Sequence, residues 1–195
     1  MNQHGRHIRL FNRIATPYRW FLASQTRSYA HCFELGRSAL PQPNGKRALD
    51  IGCGTGAFTS ALRTEGWEVD GIDAAENMLA KAGDHGLRCT VADILGHHGI
   101  PDMSYDLVTA AYVAHGMPLE DRVKLYRECR RISRGVVLFH DYTNDHNLLI
   151  SVVEYLEGGD YFNFIKSVPT EFEAHFSSVR VIRVGPHAAW YVCAP

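Results

Sequence analysis

The stretch 48-ALDIGCGTGAF-58 decides how the chain is read. An apolar run from Ala48 to Ile51 carries one acid, Asp50, and breaks at once into alternating glycines, Gly52, Gly54 and Gly56. Glycine lacks a Cβ and tolerates positive φ, so a backbone with this spacing can wrap closely around a ligand before a helix begins. The dinucleotide fingerprint is G-x-G-x-x-G, with the pyrophosphate on the helix N-terminus. Here the third glycine comes one residue early, and Asp50 stands two residues before the first. An acid at that place repels a pyrophosphate and suits a ligand carrying an ammonium and a sulfonium. The loop alone still leaves a dinucleotide, a phosphate and a sulfonium nucleoside open.

Outward from the loop, short apolar runs alternate with longer amphipathic ones. "RALDI", "WEVDGID", "LRCTVAD", "SYDLVTAAYV" and "RGVVLFHDY" are predicted strands. "AFTSALRTEG", "AENMLAKAGDHG" and "PLEDRVKLYRECRRIS" are predicted helices between them. That alternation implies βαβ units, a parallel sheet and right-handed crossovers, an α/β fold of the doubly wound kind. The end of the sequence differs. A helical stretch from about Asn144 to Lys166 and a short helix after Pro169 lead into "SVRVIRV" and "AAWYVCA", predicted as an antiparallel hairpin. Before the loop, Leu10, Phe11, Ile14, Tyr18, Phe21, Leu22 and Gln25 recur at steps of three and four, broken by Pro17. This predicts two helices, the second ending near Ala39, followed by the turn "PQPNG".

Two later acids and a pair of small residues strengthen the loop. Asp73 ends the second strand, where a carboxylate accepts ribose hydroxyls or caps the helix that follows. Asp93 ends the third, within reach of an adenine amino group. Ala110 and Ala111 leave the tip of the fourth strand open. All lie at the carboxyl ends of parallel strands, where open α/β sheets bind their ligands.

With these residues in view, the chain resembles the class I S-adenosylmethionine-dependent methyltransferases. "LDIGCGTG", "GIDAAENML", "VADI" and "YDLV" match that superfamily's successive motifs in order and spacing, and the terminal hairpin matches its added antiparallel strand. The likeness covers residues 47–195. "FNRIATPYRWF" is similar to the opening helix of the small-molecule branch, the quinone-biosynthesis-like or type 11 methyltransferases. The chain departs from that branch in having only Gly135 where a Pro-Gly-Gly turn is usual. The resemblance implies a Rossmann-like seven-stranded sheet of order 3-2-1-4-5-7-6, a helical lid over residues 1–46 of the same domain, and a core over 47–195. It also implies S-adenosylmethionine as cofactor and S-adenosylhomocysteine as product. The implied cofactor-binding residues are Tyr18 over the methionine end, the loop Asp50, Gly52, Cys53, Gly54 and Gly56, and Ala110 near the amino group. Asp73 is implied at the ribose, Ala74 and Met78 beside the adenine, and Asp93 and Ile94 at its edge.

Methyl transfer is an in-line displacement that needs alignment, and it needs a general base only when the acceptor must lose a proton. His115, after the fourth strand, and His140, ending the fifth, are the candidate bases. "HDYTNDH" (140–146) lacks regular ligand spacing, so no metal is expected. "GHHG", with His97 and His98, reads as a solvated turn. "AAYVAHG" stands where base-modifying enzymes carry an (Asp/Asn)-Pro-Pro-aromatic motif, which disfavours nucleic acid. An aromatic or anionic small molecule is the expected acceptor, with "PYRWF" and "EYLEGGDYFNF" as apolar walls.

Bulk properties bound these readings. A chain of 195 residues with 46% hydrophobic side chains can bury one proper core. No run is long enough to span a bilayer. Five scattered cysteines without a C-x-x-C pair favour a reducing, cytoplasmic compartment. The net charge of −1 conceals a polarity, because residues 1–47 hold eight bases against Glu34 alone. Such an arm either contacts an anion or neutralises the acidic body. A non-catalytic S-adenosylmethionine or S-adenosylhomocysteine binder and a NAD(P)-dependent oxidoreductase are the alternative functions.

Overall fold

The runs read as strands form one seven-stranded sheet: β1 (Arg47–Ile51), β2 (Glu68–Asp73), β3 (Arg88–Val91), β4 (Tyr105–Ala111), β5 (Ser133–Tyr142), β6 (Ser178–Arg183) and β7 (Ala188–Ala194). The computed structural model describes residues 22–83, 86–143 and 160–195. Tyr18, the "FNRIATPYRWF" segment and the helix expected from Asn144 up to Gly159 lie outside the described residues. The strand order is β3-β2-β1-β4-β5-β7-β6. Pairing is parallel from β3 through β5, and antiparallel where β7 joins β5 and β6. This is the order and the terminal hairpin expected from the sequence.

Period-two alternation divides each central strand between two helix layers. Leu49, Ile51, Val108, Val137 and Phe139 share one buried cluster with Leu125 and Tyr126 of α4 (Leu119–Ile132) and Phe164 and Phe172 of α5 (Tyr161–His175). Ala48, Leu107 and Leu138 face the other way, onto Tyr29 and Phe33 of α1 (Leu22–Gly36) and Phe58 and Leu62 of α2 (Ala57–Thr64). Asp50, Thr109 and His140 have the same parity as this second set, so the α1/α2 face receives three polar side chains. The remaining helix, α3 (Glu76–Gly83), follows β2.

Two helices differ from expectation. The short helix predicted after Pro169 is instead the second half of α5, which runs through the proline without a break. A proline inside a helix costs about 3 kcal/mol. Burial of Phe164, Ile165, Val168 and Phe172 at steps of one, three and four contributes about 1.5–3 kcal/mol for each side chain, which outweighs that cost. In α1, Tyr29, Cys32 and Phe33 are buried core residues. The Phe33 ring meets Trp190 of β7 at 4.9 Å, and the Cys32 thiol donates to the Val184 carbonyl, 152 positions away, at 3.6 Å. Gly36 completes this joint, since a Cβ there would stand 2.4 Å from the Trp190 ring. From Tyr29 onward the segment expected as lid is therefore fixed core, and any lid is confined to residues before it.

A buried arginine ties the α4/α5 layer to the turn after β4. Arg122 is 1% exposed and bonds both carboxylate oxygens of Glu171 at 2.6 and 2.8 Å. Its remaining nitrogen donates to Asp160 at 2.7 Å and to the Met117 carbonyl at 2.6 Å. Planar, forked donors suit this bidentate geometry.

Candidate active site

The glycine loop leaves β1 at Ile51 and enters α2 at Ala57. Gly52 and Gly56 adopt φ of 66° and 85°, in the left-handed region. A side chain is excluded at both places by space as well as by torsion: a Cβ would stand 2.6 Å from Val113 at Gly52 and 2.3 Å from Leu87 at Gly56. The loop is thus a cradle whose walls are already in contact. Met78 of α3 forms part of it, its terminal methyl 3.4 Å from where a Gly54 Cβ would be.

Two carboxylates hold this cradle from behind and beside. Asp50 is 1% exposed and accepts the hydroxyls of Thr59 at 2.7 Å and Thr109 at 2.8 Å. Burial raises its pKa to about 6, against the lowering effect of those hydroxyls. Asp73 accepts the Gly54 amide at 2.8 Å and the Ala75 amide at 2.7 Å, so it caps α3 and pins the loop together. A carboxylate offers about four lone-pair positions, so two stay open to further donors. Burial raises its pKa also, opposed by the two amides.

Asp93 lies two residues beyond the end of β3, accepting the Leu95 amide at 2.9 Å. Ile94 is buried, Ala74 half-buried, and Ala110 is 1% exposed near the carboxyl end of β4. Cys53 is buried with its side chain turned toward Gly71, so only its backbone faces the cradle.

The two candidate histidines lie on opposite faces of the sheet. His140 is 2% exposed, with Tyr29, Phe58 and Tyr112 rings at 5.3, 5.8 and 4.8 Å. The Trp190 indole N–H donates to its Nδ1 at 2.9 Å, which places the ring proton of the neutral tautomer on Nε2. Burial lowers its pKa to about 4. Its expected role as a base is therefore corrected: the basic lone pair is spent on Trp190, and the ring is part of the core.

His115 stands in a 3-10 turn, Ala114–Gly116, directly after β4. Its Nδ1 lies 2.8 Å from Oδ1 of Asp141, which is fully buried and also accepts the Tyr142 amide at 2.9 Å. Donation from Nδ1 to this carboxylate sets the neutral tautomer with its proton on Nδ1. Tyr112 and Tyr142, both half-buried, flank the imidazole at 6.0 and 4.9 Å. Tyr112 takes a φ of 54°, rare for an aromatic residue. The turn is close to the cradle because Val113, two residues earlier, is the side chain that closes on Gly52.

"GHHG" is a solvated stretch at Gly96, His97 and Gly99, as expected, but not at His98. The His98 side chain is 4% exposed and lies 3.1 Å from Glu128, which also pairs with Arg131. Among the described residues no group of three His, Cys, Asp or Glu is arranged to hold a metal ion, and Asp145 and His146 lie outside them.

Comparison with known proteins agrees with this geometry. A family model described as a methyltransferase domain matches residues 49–139. A ubiquinone biosynthesis O-methyltransferase of Hahella chejuensis is 33% identical over 115 residues, covering 55% of this chain and 46% of that protein. One from Pseudomonas aeruginosa is 35% identical over 94 residues, covering 45% and 40%. A SAM-dependent methyltransferase structure from Thermotoga maritima superposes with a TM-score of 0.72 at 17% identity, covering 97% of this chain and 100% of the other. Residues 49–139 are thus similar to a methyltransferase domain, and the chain has the fold of S-adenosylmethionine-dependent methyltransferases. It spans about half the length of the curated relatives it matches. No helix among the described residues is long and apolar enough to cross a membrane.

The motifs found in sequence converge on one end of the sheet, with Gly54 bonded to Asp73 and packed beside Met78, and Asp50 held behind the loop by Thr59 and Thr109. What sequence reasoning missed is the set of partners. Thr59 and Thr109 carried no signal as hydroxyl donors to Asp50. Asp141 was noticed only as part of "HDYTNDH", and its pairing with His115 depends on β4 lying beside β5, with Ala111 opposite His140.

Proposed function

We propose that this chain binds S-adenosylmethionine at the glycine cradle and methylates a small aromatic acceptor, with His115 as general base. When bound, the donor supplies a methyl group made electrophilic by its sulfonium and open to in-line attack. The cradle suits it: Gly52 and Gly56 admit no Cβ, and acids rather than arginines line the loop. Asp73, with acceptor positions left, would take the ribose hydroxyls. Gly52, Gly54 and Ala110 would offer carbonyls to the ammonium with Asp50 behind them. Ala74, Met78, Asp93 and Ile94 would border the adenine, and Tyr18 would cover the methionine end.

The single observation that carries the catalytic reading is the His115–Asp141 pair at 2.8 Å, beside the cradle. Nε2 of His115 would receive the proton of an acceptor hydroxyl, while Asp141 fixes the tautomer and stabilises the imidazolium. Tyr112 and Tyr142, whose rings pack on each other at 5.0 Å, would form one aromatic wall against a planar acceptor. The names of the curated relatives support an aromatic O-nucleophile, and residues before Tyr29 would act as the lid. The reading fits a cytoplasmic protein.

Calorimetry with S-adenosylhomocysteine tests the donor half: the wild type should bind, and Asp73→Ala should weaken binding at least about tenfold. A metabolite screen with methyl-labelled donor tests the acceptor half. Binding without transfer to any small molecule would leave a cofactor-binding protein, and absence of binding would overturn the reading.

A further inference from the structure

Gly71 lies within β2, and its side of the sheet is filled by sulfur. A Cβ there would stand 2.7 Å from Cys89 Sγ and 2.8 Å from Cys53 Sγ, so two thiols meet over a residue that has to lack a side chain. Cys89 arrives by strand pairing, directly opposite Gly71 in the β2–β3 ladder. Cys53 arrives from the glycine loop, because the Gly52 and Cys53 amides both donate to the Ile72 carbonyl and fold the loop back over β2. Cys53 is 7% exposed, whereas Cys89 is half-buried and open to a small reagent. The other three cysteines, Cys32, Cys129 and Cys193, are all buried.

We propose that Cys53 and Cys89 form a reversible thiol–disulfide site, oxidised by a hydroperoxide, whose disulfide draws the glycine loop out of its donor-binding shape. The consequence for binding rests on the loop being the donor site. Burial, with Asp50 and Asp73 nearby, keeps Cys53 protonated, and its S–H donated to the Cys89 sulfur favours the Cys89 thiolate. The Cys89 thiolate attacks the hydroperoxide O–O bond, forming an S–O bond and expelling hydroxide or alkoxide. The Cys53 sulfur then displaces hydroxide from the sulfenic acid, forming the S–S bond, and its proton leaves with that hydroxide as water. Two thiols lose two electrons and two protons, and one hydroperoxide is reduced to water and an alcohol, or to two waters for hydrogen peroxide. The bond must shorten the sulfur separation to about 2.05 Å. The half that moves is the loop, since Cys89 is held in a strand ladder.

Peptide mass mapping after hydrogen peroxide and alkylation under denaturing conditions tests the chemistry. Calorimetry with S-adenosylhomocysteine on reduced, oxidised and dithiothreitol-treated protein tests the consequence. The expected results are a 53–89 cross-link with loss of two hydrogens, binding weakened at least about tenfold, recovery with dithiothreitol, and a Cys89→Ser variant whose binding ignores peroxide. Free, alkylatable Cys53 and Cys89 after peroxide would overturn the proposal, and so would a cross-link that leaves affinity unchanged. If the reduced wild type fails to bind, the donor-site reading of the loop falls and its gating with it, while the cross-link alone still decides the thiol chemistry.

Discussion

His115 and His140 end neighbouring strands of one sheet, yet their surroundings give them opposite chemistry. His115 faces the α4/α5 side, where buried Asp141 takes its N–H. His140 faces the α1/α2 side, where Trp190 gives it an N–H and occupies the lone pair. On the proposed reading one imidazole accepts a proton, whereas the other is a hydrogen-bond acceptor inside a core. Residue type and position at a strand end do not distinguish them. The partner on Nδ1 does.

Substitutions should separate the two sides, and the largest effect is expected at His115. His115→Gln should lower kcat by about 10²–10⁴-fold with little change in donor affinity, since general-base catalysis contributes that much. Asp141→Asn should lower kcat by about ten- to a hundredfold as the tautomer is freed. Rates within about twofold of wild type for both, on an identified acceptor, would remove the base from the mechanism.

On the other side the cost should be stability. His140→Phe leaves the Trp190 N–H without its acceptor, and should destabilise by about 1–3 kcal/mol in denaturant titration while preserving turnover. A large loss of kcat with unchanged stability would return His140 to catalysis.

The same side also carries a pH signature. His140 titrates near 4 when folded, below its ordinary 6.5, so the unfolded chain binds more protons between those values. Its contribution is complete above about 6.5 and is lost as pH falls toward 4. Asp50 is the reverse, titrating near 6 when folded against 3.8 ordinarily. The folded chain binds its proton first, and stability falls as pH rises from about 4 to 6. Each effect is about 3 kcal/mol, and the two nearly cancel in the overlapping window. Wild-type stability should be nearly flat from pH 4 to 6, falling with pH in His140→Phe and rising with pH in Asp50→Asn. Parallel slopes in the two variants would refute the opposition. The smallest effect is expected in donor affinity, which should tighten by up to about tenfold as Asp50 ionises through pH 6, and should be flat in Asp50→Asn.

What was legible in the sequence was local or periodic. Glycine spacing, acids at strand ends and two-residue alternation gave the strands, their parallel pairing, the hairpin and the loop, while the strand order came from the family resemblance. The partners were not legible because they come from across the fold. Asp141 reaches His115 only through β4–β5 pairing, and Trp190 reaches His140 only because β7 runs antiparallel to β5. Pro169 misled for the opposite reason: a strong local rule was overridden by apolar burial on both sides of it. His98 read as solvent-exposed because Glu128 is 30 positions away.

The joint between α1 and β7 bears on how the protein is made. Residues Tyr29, Cys32, Phe33 and Gly36 leave the ribosome early, and Trp190 and Val184 are synthesised roughly 150 positions later. At about 5–20 residues per second, α1 waits on the order of ten seconds for the strand it docks on. Phe58 of α2 covers part of its apolar stripe earlier, but the part that docks on Trp190 stays uncovered through that interval, a natural target for chaperones acting on nascent chains.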